Sequence, residues 1–323
     1  MIKKINVLIV PAGSGMAIPA IKALKQDKNI RIVSVDSNSL SPGLYLSHKA
    51  YIVPVFKDQL FYPKIKEIVL KEKIDVIIPC LDTILLDFSK LKPWFKEMGA
   101  EVMVSDFEAI EITRDKWKTY KALEGIIPLP KSFIKKEDIN INYPIIIKPR
   151  GGSGSQDFHK IDSKEELDFY YKRIENPIIQ EYLPGEEYTI DCLAEKNGKL
   201  VLTMARERIE AKAGISVKGK VVTDKRFNEM AEKISKQIKF NGPFFFQAKK
   251  DNNGNPKLME INARIAGTMC LSSFAGPNIH LLGVMLALGK KIKIPPIKYG
   301  LRVSRYWEEL YLTDNKIKKI KKI

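Results

Sequence analysis

Gln247, Glu260 and Asn262 are the first residues in this chain whose types and spacing suggest chemistry. They lie in PFFFQAKKDNNGNPKLMEINARIAGT, residues 243–268, where two apolar runs flank a cluster of Asp, Asn, Gly and Pro. That is a hairpin pattern, and Asn253-Gly254 is its strongest turn signal. With these two residues at the centre of the turn, Asn252 faces Asn255, Gln247 faces Glu260 and Phe245 faces Asn262. Side chains alternate faces with period two, so Gln247, Glu260 and Asn262 project from one side. Converging oxygen donors of this kind suit Mg²⁺, a hard cation. A solvated polar face is the plainer alternative.

A second constellation lies upstream in YPIIIKPRGGSGSQDF. Ile145 and Ile147 point to one face of a short strand and Lys148 to the other. Pro149 ends the pairing, and Gly151, Gly152 and Gly154 make a loop whose N–H groups can wrap phosphate oxygens. An ammonium beside such a loop suits a nucleotide polyphosphate. Glu186 and Glu187, after a Pro-Gly turn, could accept ribose hydroxyls or stand as solvated strand-end charges. Arg206 and Arg208 share a strand face two residues apart, which allows a carboxylate-binding role or two solvent-facing charges. Cys80 and Asp82 follow a strand end, where open α/β sheets place ligands, which allows a substrate-side role or ordinary loop and helix-cap duty.

The elements that would position these residues are legible as well. Residues 5–10, 31–36, 75–79 and 101–105 read as strands, with helical patterns near 60–71 and 83–97 between them. Alternating strands and helices predict a parallel sheet covered on both faces. Gly13, Gly15 and Asp36 partly match a dinucleotide fingerprint, but Ile18 stands where the third glycine belongs. A tight strand-to-helix turn explains the glycines better. Further on, a capped helix starts from Thr113 or Asp115 and ends at Gly125, a second runs from Ser163 to Arg173, and a hairpin turns at Asn197-Gly198.

Composition narrows the function classes. The chain has 323 residues, 45% hydrophobic and 29% charged, as expected of a globular protein of two or three domains. No apolar run approaches the roughly 20 residues that span a bilayer. MIKKINVLIV reads as a first strand rather than a signal peptide. Cys80, Cys192 and Cys270 are too scattered for a disulfide framework or a zinc site, which makes the cytoplasm the expected compartment. The net charge of +17 is spread along the chain without a basic, aromatic-interleaved stripe, so no nucleic-acid partner is expected. No membrane partner is expected either. The basic end, LTDNKIKKIKKI, reads as a frayed, solvated tail.

IIIKPRGGSGS, IIQEYLPGEEYTID, FFFQAKK and MEINARIAGT, in this order and spacing, resemble the ATP-grasp superfamily. The branch is that of the carbamoyl-phosphate synthetase large chain, the pyrrolysine-biosynthesis ligase and D-aspartate ligases, and the resemblance covers about residues 1–310. It implies an α/β chain with a Rossmann-like domain (1–105), an ATP-grasp lid subdomain of α+β type (106–185), a C-terminal ATP-grasp subdomain with the metal hairpin (186–312), and the basic tail (313–323). It also implies roles. Lys116 and Lys148 contact ATP phosphates, and the loop Gly151, Gly152, Ser153, Gly154, Ser155 closes over them. Gln180, Glu181, Tyr182 and Leu183 form the hinge that reads adenine, and Glu187 meets the ribose. Gln247, Glu260 and Asn262 bind two Mg²⁺ ions, with Mn²⁺ as an alternative occupant. Arg264 sits beside the transferred phosphate.

With Lys148 and Arg208, Arg264 is a catalytic candidate. Asp82, Arg206, Arg208 and Arg264 are the candidates for substrate contact. Two departures stand out: Gln247 replaces an acid that many members use, and Ile84 replaces a Glu common in CLDTILL-like stretches. The resulting expectation is a ligase that phosphorylates a small carboxylate and joins it to an amine, releasing ADP. Relatives are often dimers, so a homodimer is compatible. Two alternatives stay open: a carboxyphosphate- or carbamoyl-phosphate-forming enzyme with a partner chain, and a non-catalytic nucleotide-binding protein.

Overall fold

The run Ile5–Val10 shows no polar alternation because both of its faces are buried. In the computed structural model, which describes residues 4–152, 157–212 and 214–323, it is the centre of a parallel sheet. Strands β1 (Ile5–Val10), β2 (Ile30–Asp36), β3 (Lys49–Ile52), β4 (Val76–Pro79) and β5 (Glu101–Val102) take the order β3-β2-β1-β4-β5. Leu8 and Val10 join one apolar cluster with Phe88 and Phe95, while Val7 and Ile9 join another with Ala17 and Ile21. Each fully buried aliphatic side chain of this kind contributes about 1.5–3 kcal/mol.

Several expectations for this domain need correction. The strand read over 101–105 pairs only at Glu101 and Val102. The helix read over 83–97 breaks at Leu91 into Asp82–Lys90 and Lys92–Glu97, because Pro93 has no N–H to continue the first helix. Strand β3 and the short helix Pro42–Leu46 were not legible in the sequence pattern. The glycine turn after β1 is not a dinucleotide cradle. Asp36 turns its carboxylate inward, accepting from Gly13 N at 2.7 Å and Asn38 N at 2.9 Å. A Cβ on Gly13 would press on the side chains of Ser41 and Asp36, so the turn leaves little room for a larger residue.

The sheet that falls within the expected lid is four-stranded and antiparallel, with β6 (Ser132–Phe133), β7 (Ile145–Pro149), β8 (His159–Ile161) and β9 (Pro177–Glu181) ordered β6-β9-β7-β8. Ile145, Ile147, Ile161 and Ile179 pack with Leu167 of the helix Lys164–Tyr171. Ahead of the lid, Asp115 caps the helix Lys116–Leu123, accepting from Trp117 N and Lys118 N.

The third sheet is antiparallel, built from β10 (Glu187–Ala194), β11 (Leu200–Lys212), β12 (Ile215–Val222), β13 (Gly242–Lys250), β14 (Pro256–Asn262) and β15 (Arg302–Ser304). Its order is β14-β13-β10-β11-β12-β15. The helix Lys225–Gln237 buries Phe227 and Ile234 on one face. Phe245, Ile265, Ile279 and Val284 share a core with Val7 and Ile9 of the first domain, so the two domains are fused through one apolar cluster.

The basic end is ordered, against expectation. A helix Asp314–Lys318 is followed by β16 (Lys321–Lys322), which adds in parallel to the outer edge of β3. Ile323 N donates to Ile52 O at 3.1 Å, and the Ile323 side chain packs on the core. An edge strand with free N–H and C=O groups is the template that such a segment completes. Among the described residues, no single helix is long and apolar enough to cross a membrane.

Candidate active site

The hairpin of β13 and β14 has the register that Gln247 and Glu260 require, reached by an unforeseen route. Gln247 lies opposite Glu260 and Phe245 opposite Asn262. The turn, however, is one residue longer than expected. Asp251 N donates to Asn255 O at 2.9 Å, so Asn252, Asn253 and Gly254 form the loop and Asn252 does not face Asn255. Gly254 takes φ +74°, the left-handed position of a three-residue hairpin loop. A bulge then places Met259 between the pairs Gln247–Glu260 and Ala248–Leu258, and the extra residue cancels the shift.

The rows of this face continue across the sheet. Gln247 pairs with Thr189 of β10, and Thr189 with Arg206 of β11. One row along, Lys249 pairs with Glu187. Asn262 Nδ2 donates to Glu260 Oε1 at 3.2 Å. Among the described residues no group of three or more His, Cys, Asp or Glu is placed to hold a metal ion. The donor set here is instead one carboxylate and two amides, which suits an ion that takes its remaining ligands from phosphates and water, as Mg²⁺ does.

Lys148 projects from the opposite face of β7 to the lid core and is buried. Burial, with Lys116 alongside, pushes its ammonium down to about 8, against the pull of Glu260 and Glu187. Lys116 is lowered too, by burial, while Glu260, Asp115 and Asp82 raise it. Its Nζ lies 3.4 Å from both Arg150 O and Gly152 O, and Arg150 is tied to Asp115 at 2.7 Å. Both lysines thus face Glu260. Gly151 and Gly152 line the same cleft, whereas Ser153, Gly154 and Ser155 lie outside the described residues. The cleft measures about 640 Å³ and is also lined by Glu187, Arg208, Gln247, Lys249 and Glu260.

At the end of β9, Gln180 is buried and donates to Ser132 Oγ at 2.8 Å. Glu181 accepts from Lys257 Nζ at 2.6 and 2.9 Å and from Lys131 N at 3.1 Å, linking lid to hairpin. The ammonium groups of Lys160 and Lys249 both lie over the Tyr182 ring, and Leu183 is buried. A narrow cavity of about 10 Å³ lies beside Gln180, walled by Leu129, Leu258 and Ile261.

The candidate arginines part ways. Arg208 faces the cleft, its Nε 2.8 Å from Glu187 Oε1 and its Nη2 donating to Gly214 O at 2.9 Å. Arg264 is held by Asp82, with Nη2 2.9 Å from Oδ2 and Nε against Oδ1. Arg206 is neither a substrate contact nor a solvent-facing charge. It is buried, bound at two points by Asp191 (2.5 and 2.8 Å) and donating to Thr268 Oγ1 at 2.5 Å. Its guanidinium anchors the loop that follows β14 and carries Arg264. Asp191 and Thr268 escaped the sequence reading. Their signal was a lone acid inside the apolar strand TIDCLA, on the same face as Arg206. Cys80 is fully buried and its thiol is pushed up to about 12, so it has no substrate-side role; Asp82, two residues on, reaches the surface.

Comparison with known proteins bears on this arrangement. A model for an ATP-grasp in the biosynthetic pathway with Ter operon matches residues 173–309, and a PylC-like N-terminal domain model matches residues 7–103. The carbamoyl-phosphate synthase of Methanobrevibacter smithii is 24% identical over 289 residues, covering 82% of this chain and 76% of that one. Against the carbamoyl phosphate synthase large chain of Thermoanaerobacter sp. the identity is 28% over 227 residues, and the match spans only 21% of that chain's length. The biotin carboxylase domain of Hydrogenobacter thermophilus 2-oxoglutarate carboxylase superposes with a TM-score of 0.76 at 17% identity, covering 92% of this chain and 73% of that one. An L-amino acid ligase of Bacillus licheniformis superposes with a TM-score of 0.68 at 17% identity, covering 89% and 75%. Over residues 7–103 the chain is thus similar to PylC-like N-terminal domains, and over 173–309 to ATP-grasp proteins.

Proposed function

We propose that the protein is an ATP-dependent carboxylate–amine ligase working through an acyl phosphate. One observation carries this reading: Glu260, in register with Gln247 and beside Asn262, faces Lys148 and Lys116 across a single cleft. A carboxylate is a poor electrophile, and transfer of the ATP γ-phosphoryl group converts one oxygen into a leaving group. The carboxylate oxygen forms the new bond to phosphorus while the bond to the β-phosphate oxygen breaks, freeing ADP. The amine nitrogen then bonds to the acyl carbon, the carbon–oxygen bond breaks, and phosphate and a proton depart.

Lys116 and Lys148 neutralise the polyphosphate, and their lowered proton affinity is recovered when phosphate oxygens approach. Gln247, Glu260 and Asn262 would hold Mg²⁺, which supplies charge neutralisation at the phosphates. Gln180 to Leu183 and the cavity beside them would receive adenine, with Glu187 near the ribose. At about 10 Å³ that cavity admits no purine, so the reading requires the lid to swing away from β14 for entry. Arg208 and Arg264 are the candidates for the acyl phosphate and the substrate. A homodimer is the assembly we take as the working case, checked by light scattering. The test of the reaction is ADP release against a library of carboxylates and amines, with mass detection of products. The expected products are ADP, phosphate and an amide; AMP and pyrophosphate would overturn the reading. Similarity to carbamoyl-phosphate synthase over most of the chain favours one second reading, a carboxyphosphate-forming enzyme, for which bicarbonate alone stimulates ADP release.

A further inference from the structure

The ion pair between Arg264 and Asp82 joins residues 182 apart in sequence. Arg264 leaves β14 and is 11% exposed; Asp82 opens the helix Asp82–Lys90 just beyond β4 and is 36% exposed. A helix N-terminus favours a carboxylate there. The Asp82 carboxylate is also near enough to the Lys116 ammonium to raise its proton affinity. Nη1 of Arg264 donates to Ile265 O at 3.0 Å, so the fork formed by Nε and Nη2 is left to Asp82.

A guanidinium fork gripping a carboxylate at two points is the contact that a substrate carboxylate or its phosphate ester would make. Asp82 therefore holds Arg264 in the way a substrate would. If Arg264 is to meet an anionic substrate, the two carboxylates must exchange. The displaced Asp82, 36% exposed, then gives up its two-point guanidinium partner and keeps only the more distant Lys116 ammonium, and losing a charge-assisted pair at a partly enclosed carboxylate is costly. A substrate carrying an ammonium near its carboxylate satisfies both halves at once. Bicarbonate or a simple fatty acid does not.

We propose that Asp82 is the ammonium-binding residue of the substrate site and that the activated carboxylate belongs to a zwitterionic amino acid. The inference rests on the ligase reading above and narrows its substrate class. The rival account is a static latch between the two domains, which would affect stability but not the choice of acid.

Hydroxylamine as the nucleophile makes the test independent of the natural amine, because it attacks an acyl phosphate, releasing phosphate and leaving a hydroxamate that is read as its coloured ferric complex. The full chain is given ATP, Mg²⁺, hydroxylamine and each protein amino acid, paired with its des-amino acid, for example L-alanine with propionate. Hydroxamate is expected from at least one amino acid and at least about 100-fold less from its des-amino partner. Asp82→Asn should lower kcat/KM for that amino acid about tenfold or more, chiefly through KM, and narrow the gap to the des-amino acid; Asp82→Glu should recover part of the loss. Equal use of both acids by the wild type, or an undiminished preference in Asp82→Asn, overturns the assignment. Should Asp82→Asn fail to fold, the wild-type comparison and Asp82→Glu decide the matter. If no acid yields hydroxamate or ADP, the ligase reading itself falls and takes this inference with it.

Discussion

Arg206 and Arg208 sit two residues apart on one face of β11, and they divide the site into a floor and a rim. On the floor, Arg206 is wrapped by Asp191 and Thr268, all three buried. Nearer the surface, Arg208 leans on Glu187, both lining a cleft of about 640 Å³, and Arg264 leans on Asp82, whose side chain is 36% exposed. The chemistry of the pairs is the same and only the surroundings differ. A buried pair cannot trade its carboxylate without leaving a charge stranded, so it fixes geometry. A rim pair can trade its carboxylate for a ligand, so it recognises.

The largest effect should come from breaking the floor. Asp191→Ala strands the Arg206 guanidinium and is expected to cost about 3–5 kcal/mol in urea unfolding. Burial raises the Asp191 carboxyl, with Arg206 opposing, so the pair is under desolvation stress already. Replacing both partners by apolar residues of similar volume should restore most of the loss. If Asp191→Ala unfolds at wild-type urea, the floor is not a structural unit.

Glu260→Gln probes the centre, between floor and rim. Turnover should fall roughly 10²–10³-fold while the urea midpoint barely moves. Loss of fold instead of turnover would make Glu260 a structural residue and remove the metal assignment. Smaller again is Thr268→Val, which deletes one hydroxyl from Arg206. It should cost about 1–3 kcal/mol. Because the loop it anchors carries Arg264, kcat/KM should drop severalfold as well, and a stability change without any kinetic change would separate floor from rim entirely.

The mildest prediction uses pH. Lys148 is held down to about 8 in the folded protein against 10.5 when free. The folded state thus binds fewer protons between these values, and stability should rise as pH climbs from about 8 to about 10.5. Bound polyphosphate favours the charged lysine. Affinity for a non-hydrolysable ATP analogue should therefore weaken above about pH 8, by no more than about tenfold per pH unit for one proton. Lys148→Arg, always charged, should flatten that slope. A slope unchanged in Lys148→Arg would move the titration elsewhere.

Much of this arrangement was legible in residue order. Period-two alternation put Lys148 opposite Ile145 and Ile147, and the same rule put Gln247, Glu260 and Asn262 on one face. The hairpin register was correct although its turn was misjudged, because the three-residue loop and the bulge at Met259 offset each other. Nothing local announces a bulge, so that agreement owed something to chance. The ordered end of the chain was misread because IKKIKKI has no partner of its own; β3 supplies one from 270 positions away, with Lys321 opposite Tyr51.

By itself, the sequence determined the elements, the two lysines, the oxygen face and the resemblance that joins them, since each depends on neighbours within a strand or a turn. The tertiary structure alone decided which charges are free to act. Arg206, Arg208 and Arg264 look alike in sequence, but Asp191, Glu187 and Asp82 reach them across 15, 21 and 182 positions. Whether such a pair locks or exchanges depends on solvent access, a property of the packed assembly that no local pattern encodes.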